Sequence, residues 1–134
     1  MKRCTLDTNI ITGFLKKDVR IVKRVSDYLE YFDRLTINSI SYYEILRGLK
    51  DLGNVEKLNK FEEFVQENEL LSIRKETIQK AAEIYAYLKT EGNLIEDADI
   101  LMAAIALVEN LVFITDNIKH FKRVKNLPIE NWKE

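Results

Sequence analysis

The sequence predicts a three-layer α/β/α fold, with helices covering both faces of a central, mostly parallel sheet of four to five short strands. Three observations carry that expectation. Brief apolar runs of strand length recur along the chain, helical periodicities separate them, and one segment near residue 100 is apolar on every side. Such alternation favours parallel strands joined by right-handed helical crossovers, because both faces of the sheet are then buried.

The first strand is expected over residues 3–7, where Cys4, Thr5 and Leu6 form a short buried run closed by Asp7. Val22, Val25, Leu29 and Phe32 then recur at steps of three and four, the mark of an amphipathic helix. A second strand follows at residues 35–38. Ser39 or Ser41 is placed to cap the next helix, which carries Glu44 on its first turns. Gly53 and Asn54 mark a turn into a helix along Val55, Leu58, Phe61 and Val65. Residues 70–73 read as the third strand. Ile78, Ala82, Tyr85 and Leu88 define the next helix, and Gly92 stands where a C-terminal cap belongs. Residues 98–108 have no polar face, so that helix must be central, with Ala103, Ala104 and Ala106 allowing close backbone approach and Asp97 as its N-cap. Strands at 111–115 and 127–130 complete the set.

The 134 residues suit one compact domain, able to bury roughly two thirds of the surface of the unfolded chain. With one proline, four glycines and no repeat or linker, a single domain over residues 1–134 is expected. Hydrophobic residues at 46% and charged ones at 32% exclude the disordered class. No apolar run approaches the roughly 20 residues of a membrane span, and Met1-Lys2-Arg3-Cys4 lacks the apolar stretch of a signal peptide, so no membrane association and a cytoplasmic location are expected. Cys4 is the only cysteine and reads as a small buried core residue, which excludes an intrachain disulfide. A net charge of −1 excludes coating of nucleic acid by bulk attraction. Local basic clusters remain at Lys16, Lys17, Arg20, Lys23 and Arg24, and again at Lys119, His120, Lys122, Arg123 and Lys125.

Four acids stand apart by their setting. Asp7 and Asp116 follow apolar strands, while Glu44 and Asp99 lie on the opening turns of helices. In open parallel sheets, ligands sit outside the carboxyl ends of the strands, which is where Asp7 and Asp116 fall. Converging carboxylates repel: unit charges ~5 Å apart at an effective dielectric of ~20 interact by ~3 kcal/mol. A hard cation such as Mg2+ or Mn2+ removes that repulsion and suits phosphate chemistry. The lone Cys4 and lone His120 cannot supply a zinc shell, and His120 has no partner for histidine-pair ribonuclease chemistry.

These residues resemble the PIN-domain family, and most closely its VapC-type toxins of VapBC toxin–antitoxin systems. The matching stretches are Leu6-Asp7-Thr8-Asn9-Ile10, residues 41–48 around Glu44, Asp99-Ile100-Leu101-Met102-Ala103-Ala104, and Ile114-Thr115-Asp116-Asn117 followed by His120-Phe121, with Asn131-Trp132 beyond. The resemblance implies a metal-dependent endoribonuclease that hydrolyses RNA phosphodiester bonds using one or two Mg2+ or Mn2+ ions. It assigns Asp7, Glu44 and Asp99 as the acidic ligands, with Asp116 as the fourth, or Asn117 if the loop register differs. Thr8, Asn9, Thr115 and Asn117 would orient the ligands. Arg47, Lys119 and Lys122 would meet RNA phosphates. A homodimer neutralised by a VapB-type antitoxin is implied as well. The rival reading is a PIN fold that binds RNA or a partner without cutting. A phosphotransferase of the haloacid-dehalogenase type, suggested by Asp7-Thr8-Asn9, fails because its second acid would occupy the position of Asn9.

Overall fold

Every strand anticipated from the apolar runs forms, each shorter than its run. In the computed structural model, which describes residues 1–134, the order is β1 (Cys4–Leu6), α1 (Thr8–Leu15), α2 (Val19–Leu29), β2 (Thr36–Asn38), α3 (Ser39–Leu52) and α4 (Val55–Gln66), then β3 (Glu69–Leu71), α5 (Lys75–Thr90), α6 (Asp97–Val108), β4 (Val112–Ile114), α7 (Ile118–Phe121) and β5 (Ile129–Glu130). All pairings are parallel. The backbone ladder is interrupted once: β1, β4 and β5 form one hydrogen-bonded set and β2 with β3 another. Side chains bridge the seam. The Thr5 hydroxyl donates to the Thr36 carbonyl at 2.9 Å, and Asn38 Nδ2 donates to the Leu6 carbonyl at 2.9 Å.

Alternation along β1 and β4 sorts the core into two layers. Cys4, Leu6, Val112 and Ile114 face a cluster with Ile10, Ile11, Ile21, Tyr28, Ile45 and Phe61, from α1 to α4. Phe113 points the other way, into a cluster with Leu88 of α5, Met102 and Ala104 of α6 and Phe121 of α7. Helices therefore cover both faces, as the sequence predicts. No helix is long and apolar enough to cross a membrane.

Two caps differ from expectation. Asn38, not Ser39 or Ser41, is the N-cap of α3, its Oδ1 accepting from the Ser41 amide at 2.8 Å. Extended backbone at Asn38 frees its side chain to reach forward, whereas Ser39 and Ser41 lie within the helix and their hydroxyls donate to the Leu71 and Leu6 carbonyls. At α6 the N-cap is Glu96, and Asp97 is the first helical residue. Gly53 ends α3 at φ +66, a left-handed conformation that costs glycine no Cβ clash.

Candidate metal centre

Asp7 sits where β1 ends, and its own amide extends the sheet by donating to the Ile114 carbonyl at 2.8 Å. Its side chain then caps α1, Oδ1 accepting from the Thr8 amide at 2.7 Å. Oδ2 accepts from the Thr115 hydroxyl at 2.7 Å, and that hydroxyl in turn accepts from the Asn117 amide at 2.9 Å. The carboxylate is thus fixed at both oxygens, and Asp7 is only 7% exposed. Burial pushes its carboxyl up to about 6; the bonds from Thr115 and Thr8 oppose this, while Asp99 and Asp116 add to it.

The other acids reach the same edge from different elements. Glu44, half-buried on α3, accepts from the Thr8 hydroxyl at 2.5 Å. Thr8 also lies 3.1 Å from the Ser41 hydroxyl, so α1 and α3 are tied together beside the acid. Asp99 stands in the first turn of α6, where the helix dipole favours an anion. Its carboxyl is pushed above the ordinary value first by burial and then by Glu96, with Glu44 adding and His120 opposing. His120 Nδ1 lies 3.9 Å from Asp99 Oδ2 and 3.0 Å from Asn117 Nδ2. Asp116, beyond β4, accepts from Lys133 Nζ at 2.7 Å.

The four predicted acids are therefore coupled by mutual repulsion: Asp7 with Asp99 and Asp116, and Asp99 with Glu44. They do not close into a finished coordination shell, since no three His, Cys, Asp or Glu side chains meet closely enough to hold one ion. Thr8, Thr115 and Asn117 all bond within the set. Asn9 does not: it is exposed, and its carbonyl accepts from Thr12. Arg47 is exposed with its guanidinium 5.2 Å from the Tyr43 ring centroid, and Lys119 and Lys122 are exposed near the acids in sequence. Sequence reasoning passed over Lys133, Glu96 and the link through Ser41. Only Ser41 left a signal, three residues before Glu44 on the same helical face.

The donor set has the chemistry of a hard divalent cation site. Every fixed candidate ligand is a carboxylate oxygen, while Cys4, the only thiol, is buried in the core and pushed up to about 12 by that burial. Concavities elsewhere, including one of about 230 Å3 between α5 and residues 124–126, include none of the four acids.

A family model described as the PIN domain matches residues 4–127. The chain belongs to the PIN-domain family. Within it, this PIN-domain chain is 32% identical over 125 residues to a Ribonuclease VapC1 of Methanocaldococcus jannaschii, covering 93% of this chain and 83% of that protein. Over 128 residues it is 30% identical to a Ribonuclease VapC2 of Rickettsia felis, covering 95% and 96%. Among solved structures, VapBC-1 from nontypeable Haemophilus influenzae superposes with a TM-score of 0.86 at 31% identity, over 97% of this chain and 98% of that one. VapBC2 from Rickettsia felis, bound to a DNA fragment from its promoter, gives 0.84 at 28% identity over 96% and 97%. The PIN-domain fold accounts for the three-layer architecture and for the sheet edge at which the acids gather.

Proposed function

We propose that this chain, a single PIN domain over residues 1–134, is a divalent-metal-dependent endoribonuclease and the toxin of a type II toxin–antitoxin pair. One observation carries the reading: a carboxylate held inside the fold at Asp7, fixed by Thr8 and Thr115, and coupled to Asp99 and Asp116. Burying an acid that like charges repel is costly, and a resident cation offsets the cost. The similarity to proteins named Ribonuclease VapC supports RNA as substrate, and the likeness to VapBC structures supports a VapB-type antitoxin as partner.

Asp7, Glu44 and Asp99 would hold Mg2+ or Mn2+, with Asp116 as the fourth member of the site. When bound, the ion supplies positive charge that neutralises these acids and stabilises negative charge developing on the scissile phosphate. The chain's own residues do the positioning. Thr115 and Thr8 fix the two oxygens of Asp7, and Thr8 turns Glu44 toward the same edge. Asn117 holds His120 beside Asp99, its Nδ2 3.0 Å from His120 Nδ1. Arg47, Lys119 and Lys122 are exposed and would meet the RNA phosphates. The chain's net charge of −1 leaves RNA contact to such local groups. A homodimer and a cytoplasmic location go with this reading.

Purified protein incubated with total RNA tests it. Cleavage is expected in Mg2+ or Mn2+, and none in EDTA or with Asp7→Asn. Cutting that persists in EDTA or in the variant overturns the assignment. The rival, RNA binding without cleavage, is favoured by one observation: the acids do not close on a single point. Retained RNA binding with no cleavage in either metal would establish it.

A further inference from the structure

Asp116 already has a cation. Lys133 Nζ lies 2.7 Å from its Oδ2, and this is the one ion pair of the chain in which both side chains are less than a third exposed, at 28% each. Surface ion pairs usually contribute little because two flexible side chains must be ordered to form them. Here the ordering is supplied in advance. Trp132 is buried against Tyr28 with ring centroids 5.8 Å apart. The Lys133 amide donates to Asn131 Oδ1 at 2.9 Å, Arg20 Nη1 donates to the Lys133 carbonyl at 3.1 Å, and Arg24 Nη2 donates to the Glu134 carbonyl at 3.2 Å. Backbone tethers on both sides therefore aim the ammonium at the fourth acid.

We infer that Lys133 is a resident cation of the metal centre, which balances Asp116 and restricts the RNA-free site to a single divalent ion. The inference rests on the metal-centre reading above and deepens it. Four carboxylates and one ammonium leave three negative charges. One divalent ion leaves a single negative charge, whereas a second would turn the site net positive and would have to compete with an ammonium already in contact with its ligand. Lys133 Nζ lies 2.7 Å from Asp116 Oδ2, and its positive charge repels a second divalent ion approaching that carboxylate. Lys133 thus acts as a positioning residue that sets stoichiometry and directs the single ion to Asp7, Glu44 and Asp99.

Calorimetric titration of the RNA-free, EDTA-stripped chain with Mn2+ tests this without reference to catalysis. The unaltered protein is expected to take one Mn2+ per chain, and Lys133→Met, which keeps the aliphatic stem, to take two. Lys133→Arg restores the charge and should return the count to one. In the double variant Lys133→Met with Asp116→Asn the second ion should vanish, because its ligand is gone. Two ions in the unaltered chain, or one in Lys133→Met, overturns the inference while leaving the metal centre intact. No Mn2+ binding above that of Asp7→Asn removes the metal centre itself, and the inference with it.

Discussion

Asp7 keeps its proton to about pH 6 because burial outweighs the hydrogen bonds it accepts. The sign follows from the raised value: stability is full below the unfolded carboxyl's 3.8 and is lost as pH climbs through about 6, where a buried charge must form. Moving from 3.8 to about 6 corresponds to roughly 3 kcal/mol. Denaturant melts of EDTA-treated protein at pH 4, 5, 6 and 7 should show this loss in the unaltered chain relative to Asp7→Asn; parallel curves for the two would refute it. A divalent ion competes with that proton, so Mn2+ affinity should rise with pH up to about 6 and flatten beyond. Thr115→Val removes the hydroxyl that fixes Oδ2 and should weaken Mn2+ binding about 10–100-fold in the same titration. At this scale the sequence was informative where chemistry is local. Asp7, Thr8 and Thr115 stand at strand ends and their roles follow from that position. Lys133 was hidden, because its partner lies 17 positions away and the link depends on how residues 131–134 fold back. Asn9 stands two positions from Asp7, yet the turn of α1 carries it to an exposed position.

Asn38 joins three elements, capping α3 through Oδ1 and bridging β2 to β1 through Nδ2. Asn38→Ala removes both bonds from a fully buried position and should cost about 2–3 kcal/mol, read from the shift in the denaturation midpoint. A loss under about 0.5 kcal/mol would mean that the ladder gap needs no bridge. Three cap-forming residues within four positions, Asn38, Ser39 and Ser41, stand at this start, and only the backbone conformation decides among them. Strands and the existence of the long helices were legible from periodicity, but two faces were misplaced: α2 buries Ile21, Val25 and Tyr28 while Val22 and Leu29 are exposed, and α5 buries Ala81, Ile84 and Leu88 while Ile78 and Tyr85 are exposed. α1 was not legible, since Thr8, Ile10, Ile11, Thr12 and Gly13 are weak helix formers with no clear stripe. It holds through its Asp7 cap and through Ile10 and Ile11, both wholly buried. Gly13 suits the same helix because a Cβ there would stand 2.5 Å from Ile21 Cδ1 of α2. The all-apolar reading of α6 holds at its centre, where Ala103, Ala104 and Ala106 are fully buried, while the helix starts one residue earlier, at Asp97. Ala104→Leu should therefore destabilise by about 1–3 kcal/mol in thermal melts.

Across the whole molecule, parallel pairing makes the fold depend on contacts distant in sequence. Trp132 anchors β5 and the strap beyond it to the α2 side of the core. Trp132→Ala should cost about 3–5 kcal/mol and, by releasing Lys133, should reproduce the Mn2+ count of Lys133→Met in the calorimeter. Layering and strand direction were legible from the alternation of apolar runs and helices. The break between β1 and β2 was not, because both strands are equally apolar and only Asn38 and Thr5 reveal that side chains replace the ladder there. The bond between Thr115 and Asp7 spans 108 positions. During synthesis at roughly 5–20 residues per second, the interval between making Asp7 and making Thr115 is on the order of 5–20 s. A chain halted at residue 110 carries Asp7, Glu44 and Asp99 but neither β4 nor Thr115, so its first acid has no strand partner and no hydroxyl. The first acid of the proposed site therefore gains its strand partner and its hydroxyl only once nearly the whole polypeptide has been made.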